Sequence, residues 1–119
     1  MSDLVLVVDD EALIALDLSA TVAQSGRKVL GPAFSLDQAR SLIARQTPEL
    51  AILDINVGNE VVWPLARELS GRGCAVIFIS GDGRQRMDVP EFAGVPCLEK
   101  PTTPRDVIEA LDTVVGMRN

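Results

Sequence analysis

Three short apolar runs, each unbroken by a polar residue and each ending in one, constrain this chain more than any other feature. Leu4–Val8 runs into Asp9 and Asp10, Leu50–Leu53 into Asp54, and Ala75–Ile79 into Ser80. A strand with one face in water alternates apolar and polar residues, whereas an unalternated run suits a strand covered on both faces, as in a parallel sheet. Between the runs the spacing changes to that of helices. Ile14, Leu18 and Val22 recur four apart within Glu11–Ser25, with Asp10 as the expected N-cap and Gly26 as the stop. Ala39, Leu42 and Ile43 share a face of a second helix, capped by Ser35 and ending before Pro48.

A third helix is expected after a Val57-Gly58-Asn59 turn, reaching about Ser70 with Pro64 in its first turn. A last one starts at about Pro104, with Val107, Ile108, Leu111 and Val115 facing inward. Weaker strands are expected at Lys28–Leu30, closed by Gly31-Pro32, and at Val95–Leu98, leading to Glu99-Lys100-Pro101. The Asp82–Ala93 stretch is polar and contains Pro90, so it predicts at most a short or distorted helix. Five strands alternating with about five helices predict a doubly wound α/β fold, a five-stranded parallel sheet of flavodoxin-like order 2-1-3-4-5. That order makes strands 1 and 3 neighbours, and ligands bind beyond the carboxyl ends of such strands at the switch point. Asp9, Asp10 and Asp54 are expected there.

With 119 residues, 47% of them hydrophobic, the chain has room for one domain with a true core and none for a further effector domain. No apolar run reaches membrane-spanning length, and the N-terminus lacks the pattern of a signal peptide. Cys74 and Cys97 have no metal-ligand spacing and read as buried thiols, so a reducing cytoplasm is the expected location. The net charge of −6, without any basic stripe, argues against direct nucleic-acid binding. The absence of histidine excludes Ser-His-Asp and Cys-His catalysis, histidine metal sites, and a phosphohistidine carried by this chain.

Taken singly, the polar residues at the strand ends have ordinary explanations as caps, turn residues and surface charges. Together they form one rim: Asp9 and Asp10 from strand 1, Asp54 from strand 3, Ser80 from strand 4 and Lys100 from strand 5. Three clustered carboxylates repel one another and raise at least one pKa unless a cation binds, and magnesium suits oxygen ligands of this kind. Lys100 offers a mobile positive charge and Ser80 a hydroxyl to phosphate oxygens, and phosphoryl transfer needs mainly positioning and charge neutralisation. Asp54 is central and is the natural nucleophile.

Val7-Val8-Asp9-Asp10-Glu11, Leu53-Asp54, Ile79-Ser80-Gly81 and Lys100-Pro101 follow the order and approximate spacing of a known pattern. The chain resembles the receiver domain of two-component response regulators, the CheY-like family, over essentially all its length. The resemblance implies that Asp54 is the phosphoacceptor, loaded from a phosphohistidine on a sensor histidine kinase or phosphotransfer protein. It further implies that Asp10, Asp54 and the backbone carbonyl of Asn56 hold Mg2+ directly, with Asp9 acting through a water. Ser80 matches the switch hydroxyl, Lys100 its ion-pair partner, and Lys100–Pro101 a bond typically cis. Such domains signal through protein partners and are not enzymes beyond their own phosphorylation and dephosphorylation.

Three features depart from that pattern. The loop after Asp54 lacks the usual Pro and Asp-Gly, Cys97 stands where a switch Tyr or Phe is usual, and the expected fourth helix falls in Asp82–Ala93. Phe78-Ile79-Ser80-Gly81 is similar to the Phe-x-Thr-Gly motif of one receiver subgroup, although Asp82 replaces the aromatic that often follows. These departures bear on output more than on loading. Two other readings use the same residues: an interaction module independent of phosphorylation, and a phosphatase of the haloacid-dehalogenase type. In the latter the acidic pair follows the lysine, whereas here it comes first and Asn56 stands where a second aspartate is needed.

Overall fold

A computed structural model describes residues 3–81 and 89–117. Five strands form one parallel sheet: β1 (Leu4–Val8), β2 (Lys28–Ala33), β3 (Leu50–Asp54), β6 (Ala75–Ser80) and β7 (Cys97–Glu99), in the order β2-β1-β3-β6-β7. Two-residue strands β4 (Asn56–Val57) and β5 (Glu60–Val61) pair separately as an antiparallel hairpin. Without that hairpin, the order is the expected 2-1-3-4-5. The helices are α1 (Ala12–Gln24), α2 (Leu36–Ile43), α3 (Trp63–Gly71) and α4 (Pro104–Met117).

The unalternated strands are covered on both faces, for the reason their composition indicates. Val5, Val7, Leu50, Ile52, Ile77 and Ile79 pack against Leu18 and Val22 of α1 and Val107, Leu111 and Val114 of α4. Leu6, Val8, Ala51, Leu53, Val76 and Phe78 turn the other way, onto Leu36, Ala39 and Ile43 of α2 and Leu65, Ala66 and Leu69 of α3. Val5–Val8 and Leu50–Leu53 are wholly buried. Cys74 is buried and Cys97 half-buried.

Local chemistry sets the helix boundaries. Ser35 Oγ accepts a hydrogen bond from Gln38 N at 3.1 Å, the expected cap, while Gln38 Oε1 accepts from Phe34 N at 2.8 Å. Thr103 Oγ1 accepts from Asp106 N at 3.1 Å and starts α4. Asp10 does not cap α1. Glu11 occupies the N-cap position, and its N–H is taken by Asp9 Oδ1 at 2.9 Å, because Asp10 turns outward to another donor.

Three further expectations are corrected. Strand β2 continues past Leu30 to Ala33, because Gly31 adopts φ +106°, a conformation closed to other residues, and lets the strand bulge beside Val7. A Cβ at Gly31 would meet Ala33 N at 2.8 Å. Among the described residues there are four α-helices rather than about five, and the expected fourth segment shows a 3-10 turn at Pro90–Phe92. Pro90 stands in the first turn of that 3-10 helix, where its missing N–H costs nothing. The rest of that segment, including Arg84 and Arg86, lies outside the described residues. Finally, Val95 N closes the turn onto Phe92 O at 3.1 Å, so β7 begins only at Cys97.

Candidate functional site

Val8 pairs with Leu53 across β1 and β3, so Asp9 and Asp54 leave the sheet side by side. One carboxylate oxygen from each of Asp9, Asp10 and Asp54 lies within 4.8 Å of the other two. Asp9 is completely buried and Asp54 only 5% exposed, while Asp10 faces solvent. Asp10 Oδ2 accepts a hydrogen bond from Gly58 N at 2.9 Å, which ties the tip of the β4–β5 hairpin to the rim. Gly58 has φ +63°, the left-handed turn conformation that glycine adopts without strain.

Lys100 closes the site from the end of β7. Its backbone N–H donates to Ser80 O at 2.9 Å, and its Nζ donates to Asp54 Oδ2 at 3.2 Å and to Glu11 Oε1 at 3.0 Å. Nζ is also 3.2 Å from Asp9 Oδ2, close enough for charge attraction but not aligned for a hydrogen bond. Asp9 Oδ2 is therefore a buried carboxylate oxygen compensated by the Lys100 charge without an aligned hydrogen bond. A cation bound at the rim would add to that compensation. The donor set, anionic and all oxygen, fits a hard divalent ion such as magnesium.

Burial, and then the neighbouring Asp9 charge, push the Asp54 carboxyl from its usual 3.8 up to about 6. Lys100 and the backbone N–H of Asn56 pull the other way without prevailing. The expected repulsion, from Asp9, does raise the Asp54 pKa, and burial is the larger cause. For Lys100, burial alone lowers the pKa, but Glu11, Asp54 and Asp9 more than reverse this and hold the ammonium above the usual lysine range. Lys100 thus stays charged while Asp54 still lacks full compensation.

This has a consequence for stability. Asp54 binds its proton more tightly in the folded chain than in the unfolded one, so its contribution to stability falls as pH rises from 3.8 to about 6. Above that window the ionised carboxylate costs up to about 3 kcal/mol, or about 1–2 kcal/mol once solvent at the open rim is allowed for. Metal-free Asp54→Asn should exceed the parent by that amount near neutrality and match it near pH 4, as read from urea midpoints in chelator. A parent that gained on the variant as pH rose would contradict this reading.

The structure brings Asp9, Asp10, Asp54 and Lys100 together. Ser80 is buried at the end of β6, one residue beyond Ile79, the register partner of Asp54. Asn56 begins the hairpin, and its N–H reaches the Asp54 carboxylate. Lys100–Pro101 is cis. Trp63 is a packing residue, stacked on Phe92 and edge-on to Phe78. Glu11 and Gly58 are site contacts that the sequence left unassigned. Glu11 follows the aspartate pair directly, but its contact to Lys100 spans 89 positions and has no local signal.

No family model matches the chain. The transcriptional regulatory protein PdtaR of Mycobacterium tuberculosis is 30% identical over 116 residues, covering 94% of this chain and 56% of that protein. The chain thus spans about half the length of the curated relatives it matches. SdrG from Sphingomonas melonis is 28% identical with a TM-score of 0.81, covering 97% of each chain. The REC domain of the response regulator PhyR from Erythrobacter litoralis superposes with a TM-score of 0.90 at 23% identity, covering 99% of this chain and 93% of that one. Strand order, acidic rim and relatives agree: the chain has the fold of response-regulator receiver domains and is similar to them in sequence.

Proposed function

We propose that this chain is a phosphorylation switch in which Asp54 accepts a phosphoryl group from a phosphohistidine on a sensor kinase or phosphotransfer protein. The observation that carries the proposal is the nearly buried Asp54 carboxylate, set beside Asp9 and held 3.2 Å from the Lys100 ammonium. Asp10, Asp54 and the Asn56 carbonyl would hold magnesium directly, and Asp9 through a water. When bound, the ion neutralises charge on the rim and on the transferring phosphoryl oxygens.

The chain's own residues do the rest. An oxygen of Asp54 attacks phosphorus, the P–N bond to the donor imidazole breaks, and the imidazole keeps the electron pair and takes a proton. The product is an acyl phosphate on Asp54. Lys100 already lies against Asp54, so its ammonium can follow charge onto the phosphoryl oxygens with little reorganisation. Ser80, at the end of β6, offers its hydroxyl to the same oxygens. Each cycle of loading and hydrolysis restores Asp54, and the chain acts on no other substrate.

Output is proposed to run from Ser80 into the loop at Gly81–Arg86, of which only Gly81 is among the described residues. Cys97 is too small to act as an aromatic switch. Leu13 and Leu16, 80% and 53% exposed on α1, offer an apolar face to a protein partner. Among the described residues no helix is long and apolar enough to cross a membrane.

Magnesium titration by calorimetry tests the rim directly. Asp10→Asn should weaken binding by about 10- to 100-fold, and Asp9→Asn should weaken it within the same range. Unchanged affinity in both variants would remove the acidic rim as the metal site.

A further inference from the structure

Glu11 makes the shortest contact to Lys100, 3.0 Å against 3.2 Å for both Asp54 and Asp9. The two partners differ in setting. The Lys100 side chain is 17% exposed and that of Glu11 61%, so Glu11 grips a largely buried ammonium from the open side of the rim. Its root is fixed by the site itself, through the bond from its N–H to Asp9 Oδ1 at 2.9 Å. Its carbonyl accepts from Ala15 N at 2.9 Å, in the first turn of α1.

A carboxylate at a helix start commonly serves the helix dipole, and an exposed ion pair is commonly worth little. Neither explanation covers a hydrogen bond to the ammonium that lies against Asp54. Any phosphodonor reaching Asp54 is an anion. It must draw Lys100 donors away from Glu11 and approach past the Glu11 charge.

We infer that Glu11 is a positioning residue that parks Lys100 in the unphosphorylated chain and, by its charge, screens the site against small, highly charged phosphodonors. The inference rests on Asp54 being the phosphoacceptor. Each function of Glu11 acts before transfer: it competes for the Lys100 hydrogen bonds, and it repels the incoming anion over a distance that salt shortens.

Loading rates of the parent, Glu11→Gln and Glu11→Asp, read by intact mass in magnesium, test it with two donors. Acetyl phosphate carries more negative charge near neutrality than phosphoramidate. Glu11→Gln keeps an acceptor for Lys100 but loses the charge, and should load about 3- to 10-fold faster from acetyl phosphate. Its gain from phosphoramidate should be smaller, and the gap between donors should shrink at high salt. Glu11→Asp should keep the parent's discrimination between donors. A gain equal for both donors, no gain, or slower loading would overturn the inference while leaving Asp54 as the phosphoacceptor. No adduct on parent or variant, in a chain that also binds no magnesium, would remove the phosphoacceptor reading and this inference with it.

Discussion

Lys100→Ala should slow phosphoryl loading of Asp54 by about a hundredfold or more, with Asp54 and the acidic rim intact. Removing one preorganised donor aimed at developing charge typically costs about 10²–10³ in rate. Lys100 is such a donor, since its Nζ already lies 3.2 Å from Asp54 Oδ2. Its backbone is set by the bond to Ser80 O and its ammonium is held by three carboxylates, so little motion is needed at the moment of transfer. Lys100→Arg should recover only part of the rate. The planar guanidinium keeps the charge but cannot place a compact ammonium among Asp9, Glu11 and Asp54. Loading of Lys100→Ala within a few-fold of the parent would show that the lysine serves the folded structure and not the transfer.

Phe78→Ala should destabilise the chain by about 3–5 kcal/mol, read as a lowered urea midpoint at unchanged slope. Phe78 is fully buried on β6 and meets two other rings edge-on, Trp63 and Phe92, each with centroids 5.2 Å away. Trp63 and Phe92 also stack on each other at 5.6 Å. Truncation removes the ring's transfer energy, leaves a cavity and strips both edge contacts, so it consumes much of the ~5–15 kcal/mol of a typical domain. Phe78→Leu fills most of the space and should cost far less. A loss below about 1 kcal/mol for Phe78→Ala would contradict the three-ring packing. Because these rings join β6, α3 and the Pro90–Phe92 turn, this substitution tests the described part of the irregular region as well.

The apolar runs made the sheet readable, because Leu4–Val8, Leu50–Leu53 and Ala75–Ile79 can be buried only between two helical layers. Their polar ends then placed Asp9, Asp10, Asp54 and Ser80 on one rim through topology alone. What could not be read depends on contacts distant in the chain or on backbone geometry. The extension of β2 depends on the left-handed conformation of Gly31 beside Val7, which a Gly-Pro pair also signals when it merely ends a strand. Asp10 fits every local rule for an N-cap, yet Gly58 N, 48 positions away, takes its carboxylate. The hairpin at Asn56–Val61 is too short to show alternation. The Glu11 contact to Lys100 has no periodic trace, because it joins the first strand's end to the last strand's end.

Intact-protein mass after incubation with acetyl phosphate, with and without magnesium and beside Asp54→Ala, tests the phosphoacceptor directly. The expected result is a single phosphoryl adduct that requires magnesium and is absent from Asp54→Ala. An adduct of equal yield on Asp54→Ala would contradict Asp54 as the acceptor. A parent that bound no magnesium and formed no adduct would show that the fold is used here without phosphorylation.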